Sequence, residues 1–94
     1  MQGMWIGQWG NDFAAPSNPY TFNVNANNVL LVNNGSATYT GTWKIQGFTF
    51  IGDYVITNQT LEVRAAIDSK TMQGTWQNLT NVGSAQGTFV VVKQ

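Results

Sequence analysis

The chain has 94 residues, 43% hydrophobic and 13% aromatic but only 9% charged, with four basic and four acidic side chains that cancel. That length holds one domain, residues 1–94, and a neutral chain offers no basic stripe for nucleic acid or an anionic membrane. The absence of His and Cys withdraws the commonest general bases, nucleophiles and transition-metal ligands, so no metal and no cofactor are expected.

Apolar residues recur at every second position, which predicts an all-β chain. In order, strands are expected over 4–9, 20–26, 29–32, 36–45, 48–56, 60–68, 71–78 and 84–93. They are cut by Gly10 to Pro19, Asn27-Asn28, Asn33-Asn34-Gly35, Gln46-Gly47, Thr57 to Gln59, Ser69-Lys70 and Leu79 to Gly83. Gly52-Asp53 is itself a turn signal, and a hairpin there would change the strand count. Within strands one face is apolar: Ala37, Tyr39, Gly41, Trp43 and Ile45 alternate with Thr38, Thr40, Thr42 and Lys44. Leu61, Val63, Ala65 and Ile67 alternate in the same way with Glu62, Arg64, Ala66 and Asp68.

Eight evenly spaced strands with hairpin-length links predict a single small antiparallel up-and-down β-barrel, closed around a filled or narrowly hollow interior. Closure also removes sheet edges that a nearly uncharged surface could not protect. Alternate links share an end, so Gly10 to Pro19, Asn33 to Gly35, Thr57 to Gln59 and Leu79 to Gly83 form one amide-rich, open rim. Tight turns at Asn27-Asn28, Gln46-Gly47 and Ser69-Lys70 pinch the other end. A small-molecule site belongs in the open mouth.

No apolar run approaches the roughly 18–20 residues of a membrane-spanning helix, and the opening Met1-Gln2-Gly3-Met4 has neither the basic nor the apolar region of a signal peptide. Asn, Gln and Thr replace the usual Lys and Glu, a composition that favours a mature extracytoplasmic domain, secreted or periplasmic, over the alternative of a cytosolic one. Sequons at Asn34, Asn58 and Asn78 are chance matches in a chain so rich in Asn and Thr.

A short motif, Gly-x-Trp/Phe, recurs at Gly7-Gln8-Trp9, Gly41-Thr42-Trp43, Gly74-Thr75-Trp76 and Gly87-Thr88-Phe89. Its glycine and aromatic share a face, leaving room for a neighbouring ring and letting the strand coil. With Gly7-x-Trp9 near the start, a long first loop and a repeating meander, the chain resembles the small calycin-type barrels, the group of lipocalins and avidins. A closer similarity to avidins runs through Gly7-Gln8-Trp9-Gly10-Asn11-Asp12, Tyr39-Thr40-Gly41-Thr42-Trp43, Trp76 and Gly87-Thr88-Phe89 before Lys93. That resemblance implies a ligand contact at Asn11, matching the asparagine that meets the biotin ureido group, and a pocket wall at Trp76. The chain departs from avidins in being shorter, in carrying Gly87 where they hold an aspartate before the terminal Thr-Phe, and in lacking a further pocket tryptophan. The likeness is therefore one of barrel architecture rather than of biotin binding. The G-T-W and terminal G-T-F-x-x-x-K rhythm also resembles short extracytoplasmic β-barrel domains of unassigned function.

The titratable inventory argues against an enzyme: no base stands beside any serine or threonine, and no Ser-x-x-Lys or phosphate loop occurs. Glu62, Arg64 and Asp68 share a solvent face, where an ion pair contributes about 0–1 kcal/mol. The expected function is non-enzymatic binding of a small hydrophobic, heterocyclic or sugar ligand at the open rim by Asn11, Asp12, Tyr39, Trp43, Tyr54 and Trp76, with Phe50 and Phe89 also facing inward. Asn33 and Asn34 stand at the same rim, and Phe13 either folds over it as a plug or touches a partner. The alternative is a structural domain with a filled core and no ligand, forming a homo-oligomer through the outward-facing Val90 and Val92.

Overall fold

In the computed structural model, which describes residues 1–94, the alternation resolves into eight strands and no helix. They are β1 (Gly3–Asn11), β2 (Asn18–Val24), β3 (Val29–Asn33), β4 (Thr38–Gln46), β5 (Thr49–Ile56), β6 (Gln59–Asp68), β7 (Thr71–Asn78) and β8 (Gln86–Lys93). Each pairs antiparallel with the next, and β8 returns to β1, so the sheet closes as an up-and-down barrel. Gly52-Asp53 lies inside β5, in register with Trp43 and Thr42 on one side and Val63 and Glu62 on the other, and makes no turn.

The largest boundary difference is at β2, which starts at Asn18 and stops at Val24 rather than running over 20–26. Asn25 N–H donates to Val29 O (2.9 Å) and Val29 N–H to Ala26 O (3.3 Å), so residues 25 and 26 join the turn around the left-handed Asn27 and Asn28 (φ 60° and 62°). Pro19 enters the strand without penalty because it pairs with Gln8 of β1 alone; β3 reaches only as far as Thr21. Ser36, Ala37, Phe48, Ser84 and Ala85, expected in strands, lie in the links between them, and all but Ala85 are exposed.

The two ends form as the link order requires. The segments after β1, β3, β5 and β7 make one rim, and those after β2, β4 and β6 the other. Thr57-Asn58 is a two-residue hairpin with both φ positive (46° and 65°), matching the right-handed twist of its strands. The interior is filled by an aromatic column. Phe50 stacks between Trp43 (6.2 Å between centroids) and Phe22 (6.1 Å), and Phe22 meets Phe89 at 5.4 Å and Tyr20 at 4.8 Å.

The Gly-x-aromatic repeats have one shared geometric cause. A methyl group on Gly7, Gly41, Gly74 or Gly87 would fall on the carbonyl oxygen of Val90, Asp53, Arg64 or Gly10 respectively. Each oxygen belongs to the residue just before the glycine's register partner: Val91, Tyr54, Ala65 and Asn11. The strands coil so tightly that neighbouring backbone occupies the Cβ position. Room for a ring is a lesser effect, visible at Gly87, where Trp76 Nε1 would lie 2.7 Å from the added carbon. Two of the four, Gly7 and Gly87, sit on the β1–β8 seam that closes the barrel.

Candidate functional site

The four indoles divide between the two ends, and each donates its N–H to a backbone carbonyl there. At the pinched end Trp5 Nε1 donates to Met1 O (3.0 Å) and Trp43 Nε1 to Asn25 O (2.9 Å). At the open end Trp9 Nε1 donates to Asn34 O (3.2 Å) and Trp76 Nε1 to Gly10 O (2.9 Å). These bonds satisfy the polar tip of each buried ring, and they leave the rim tryptophans offering aromatic surface and no donor.

Between Trp9 and Trp76, whose rings meet edge to face at 5.6 Å, the mouth opens into a cavity of about 70 Å³ lined also by Tyr20, Tyr54, Leu61 and Asn34. The hydroxyls of Tyr20 and Tyr54 are 2.7 Å apart. Two hydroxyls carry two protons, and the bond between them uses one, so one O–H finds no acceptor in the protein. Burial disfavours both phenolates. The Tyr20 pKa is held well above its ordinary value by desolvation, then by the charge of and hydrogen bond to Tyr54. Desolvation likewise pushes Tyr54 up to about 12, against the lowering effect of its bond with Tyr20.

Of the six residues expected at the site, Tyr54 and Trp76 line this cavity, and Tyr39 stands behind Tyr54, stacked at 6.1 Å. Trp43 is at the opposite end of the barrel, sealed against the β2–β3 turn. Asn11, the position implied by the avidin resemblance, is exposed at the end of β1 and outside the cavity. Asp12 follows it in left-handed backbone (φ 51°) and belongs to a different concavity, on the outer wall. Phe13 is not a plug: its side chain is fully exposed.

Trp9, Tyr20 and Leu61 were absent from the expected set. The alternation Tyr20, Phe22, Val24 carries the signal for Tyr20, but its place at the mouth depends on where β2 begins. Asn34 is at the rim as expected, with Oδ1 accepting from the Ser36 and Ala37 amides and its carbonyl accepting from Trp9. Asn78, a sequon asparagine, is 5% exposed; its Nδ2 donates to Gln59 Oε1 (2.7 Å) and its Oδ1 accepts from Asn81 N (2.9 Å). It is a loop-closing residue of the rim.

On the outer wall Glu62 Oε1 accepts from Arg64 Nε (2.8 Å) and Gln77 Nε2 (3.3 Å), while Asp53 accepts from Thr42 Oγ1 (2.9 Å). No family model, curated protein or solved structure matches the chain. The closed eight-stranded meander itself is consistent with the barrel architecture that the sequence motifs resemble.

Proposed function

We propose that this chain is a non-enzymatic recognition barrel that holds the compact end of a small ligand in its open mouth. The supporting observation is the pairing of an aromatic-walled cavity with one tyrosine O–H left without a protein acceptor. A volume of about 70 Å³ lies well under the roughly 300–1,000 Å³ of pockets that engulf a whole drug-sized ligand. The ligand inserts a flat, largely apolar group bearing one hydrogen-bond acceptor and leaves its remainder outside. The carboxylates give little basis for paired acid–base chemistry, since Asp53 is committed to Thr42 on the outer wall of the barrel while Asp12 follows β1 in the rim loop.

The test is an NMR titration with 2-pyrrolidone and 2-imidazolidinone, five-membered rings that each carry a carbonyl acceptor. The Leu61 methyl and the Trp9 and Trp76 indole signals should shift saturably, and the double variant Tyr20→Phe with Tyr54→Phe, which removes both hydroxyls, should weaken binding by about fivefold, the loss of one hydrogen bond. Unmoved mouth signals with both rings would defeat the proposal.

A second reading, self-assembly, is favoured by the outer face of the β1–β8 seam. Ile6 and Val92 are cross-strand partners, each 45% exposed, with Met4 at 40% on the same face of β1. Such an adjoining apolar group suits a face-to-face homo-oligomer. Val90→Lys with Val92→Lys should then sediment as a monomer; an oligomer that persists would exclude this face as the interface.

A further inference from the structure

The larger concavity of the molecule is not in the mouth. It lies on the outer wall, where the loop after β1 leans beside β7 and β8, and encloses about 320 Å³. That volume falls within the range of pockets that bind small molecules. Two cross-strand pairs line it, Thr75 with Thr88 and Gln77 with Gln86. Asp12 and Phe13 form its loop side, and Trp76 and Gly87 complete it. The loop is held there by four bonds: Asp12 N–H donates to Gln86 O (2.8 Å), Ala14 N–H to Asn11 O (2.9 Å), Ser17 N–H to Trp9 O (3.1 Å) and Asn18 Nδ2 to Trp9 O (3.2 Å). Gly10 permits the close fold-back, since a methyl group there would lie 2.9 Å from the Ala14 carbonyl oxygen.

We propose that this groove is a second binding site, for a neutral carbohydrate chain, with Phe13 as the stacking platform. Phe13 is the most exposed large apolar side chain of the protein, at 103%, and it stands on a loop tied down at its base. An aromatic ring held in water beside a polar groove has its face free for the C–H side of a sugar ring. Apart from the Phe13 and Trp76 rings, the groove side chains are hydroxyls, amides and one carboxylate, and of these polar groups only Gln77 is engaged, donating to Glu62.

Vicinal sugar hydroxyls both donate and accept, so they can satisfy amides, threonine hydroxyls and an acceptor-only carboxylate at once. A purely apolar ligand would strip water from these groups without replacing their hydrogen bonds. No Lys or Arg lines the groove, so a phosphate or carboxylate ligand would meet Asp12 without a compensating cation. The site is independent of the ligand proposed for the mouth, although Trp76 borders both concavities.

The experiment titrates the folded chain with cellotetraose, chitotetraose and mannotetraose, following backbone amides and side-chain NH2 groups by NMR. At least one sugar should shift the Asp12 and Phe13 amides and the Gln77 and Gln86 side-chain signals saturably. Phe13→Ala should weaken that sugar by about tenfold while leaving the indole signals of Trp9 and Trp76 in place, because the Phe13 ring packs against nothing in the core. Gln86→Ala should weaken it as well. Silence with all three sugars, shifts confined to the mouth residues, or unchanged affinity in Phe13→Ala would each overturn the assignment.

Discussion

Gly74→Ala is expected to destabilise the barrel by about 3 kcal/mol or more, although it adds one methyl group to a residue with no special backbone angle. The added carbon would coincide with the Arg64 carbonyl oxygen of β6, so the neighbouring strand itself must move, and overpacking that cannot relax through side chains falls at the upper end of its usual cost. For a domain of this size that corresponds to a fall in melting temperature of roughly 15 °C. Gly41→Ala, set against the Asp53 carbonyl, should behave the same way.

Two other glycines grade the effect. An added methyl at Gly52 would meet the side-chain ends Leu30 Cδ2 (2.8 Å), Val63 Cγ2 (3.1 Å) and Phe50 Cε2 (3.2 Å), which can shift more cheaply than backbone. At Gly47 nothing lies within 4 Å, and only its positive φ of 61° opposes the change, at a cost of about 1–2 kcal/mol. Thermal denaturation of the four variants should therefore rank Gly74 and Gly41 worst, Gly52 between and Gly47 mildest. A Gly74→Ala protein that melts with the parent would refute the coiling argument.

These glycines also show where reading the sequence succeeds and stops. Their recurrence two residues before an aromatic was visible, and so was the inward face they share, because a period of two is a local property. The carbonyl that excludes a Cβ belongs to another strand and follows from register, which alternation alone leaves open. The mouth was legible to the same depth. Link parity places the loops correctly, and Tyr54 and Trp76 lie at that end. Trp43 carries the same local motif as Trp76, yet it seals the far end, because β4 runs away from the open rim while β7 runs towards it, a difference of strand direction that the motif itself does not carry. The Phe13 ring beside a groove of threonines and glutamines was out of reach, since Asp12, Gln77 and Gln86 are brought together by the β1–β8 closure.

Alkaline pH should unfold this protein through its buried tyrosine pair. In the unfolded chain both phenols lose their protons near the ordinary pKa of 10.0, whereas in the barrel Tyr54 holds its proton to about 12 and Tyr20 is also raised well above that ordinary value. Above pH 10 the unfolded state thus binds fewer protons than the folded state, so stability falls as pH rises. The contribution is fully present below pH 10 and is lost as pH climbs towards and through 12, at roughly 1 kcal/mol per pH unit for each tyrosine. Over that window the coupled pair therefore withdraws a sizeable part of a small domain's stability. Urea unfolding followed by tryptophan fluorescence should show midpoints falling steeply from pH 10 upward. The double variant Tyr20→Phe with Tyr54→Phe keeps the rings and removes the ionisation, so its midpoint should decline far less. Equal slopes in parent and double variant would mean that the pair is solvated at the mouth and that the cavity between Trp9 and Trp76 is wet to its base.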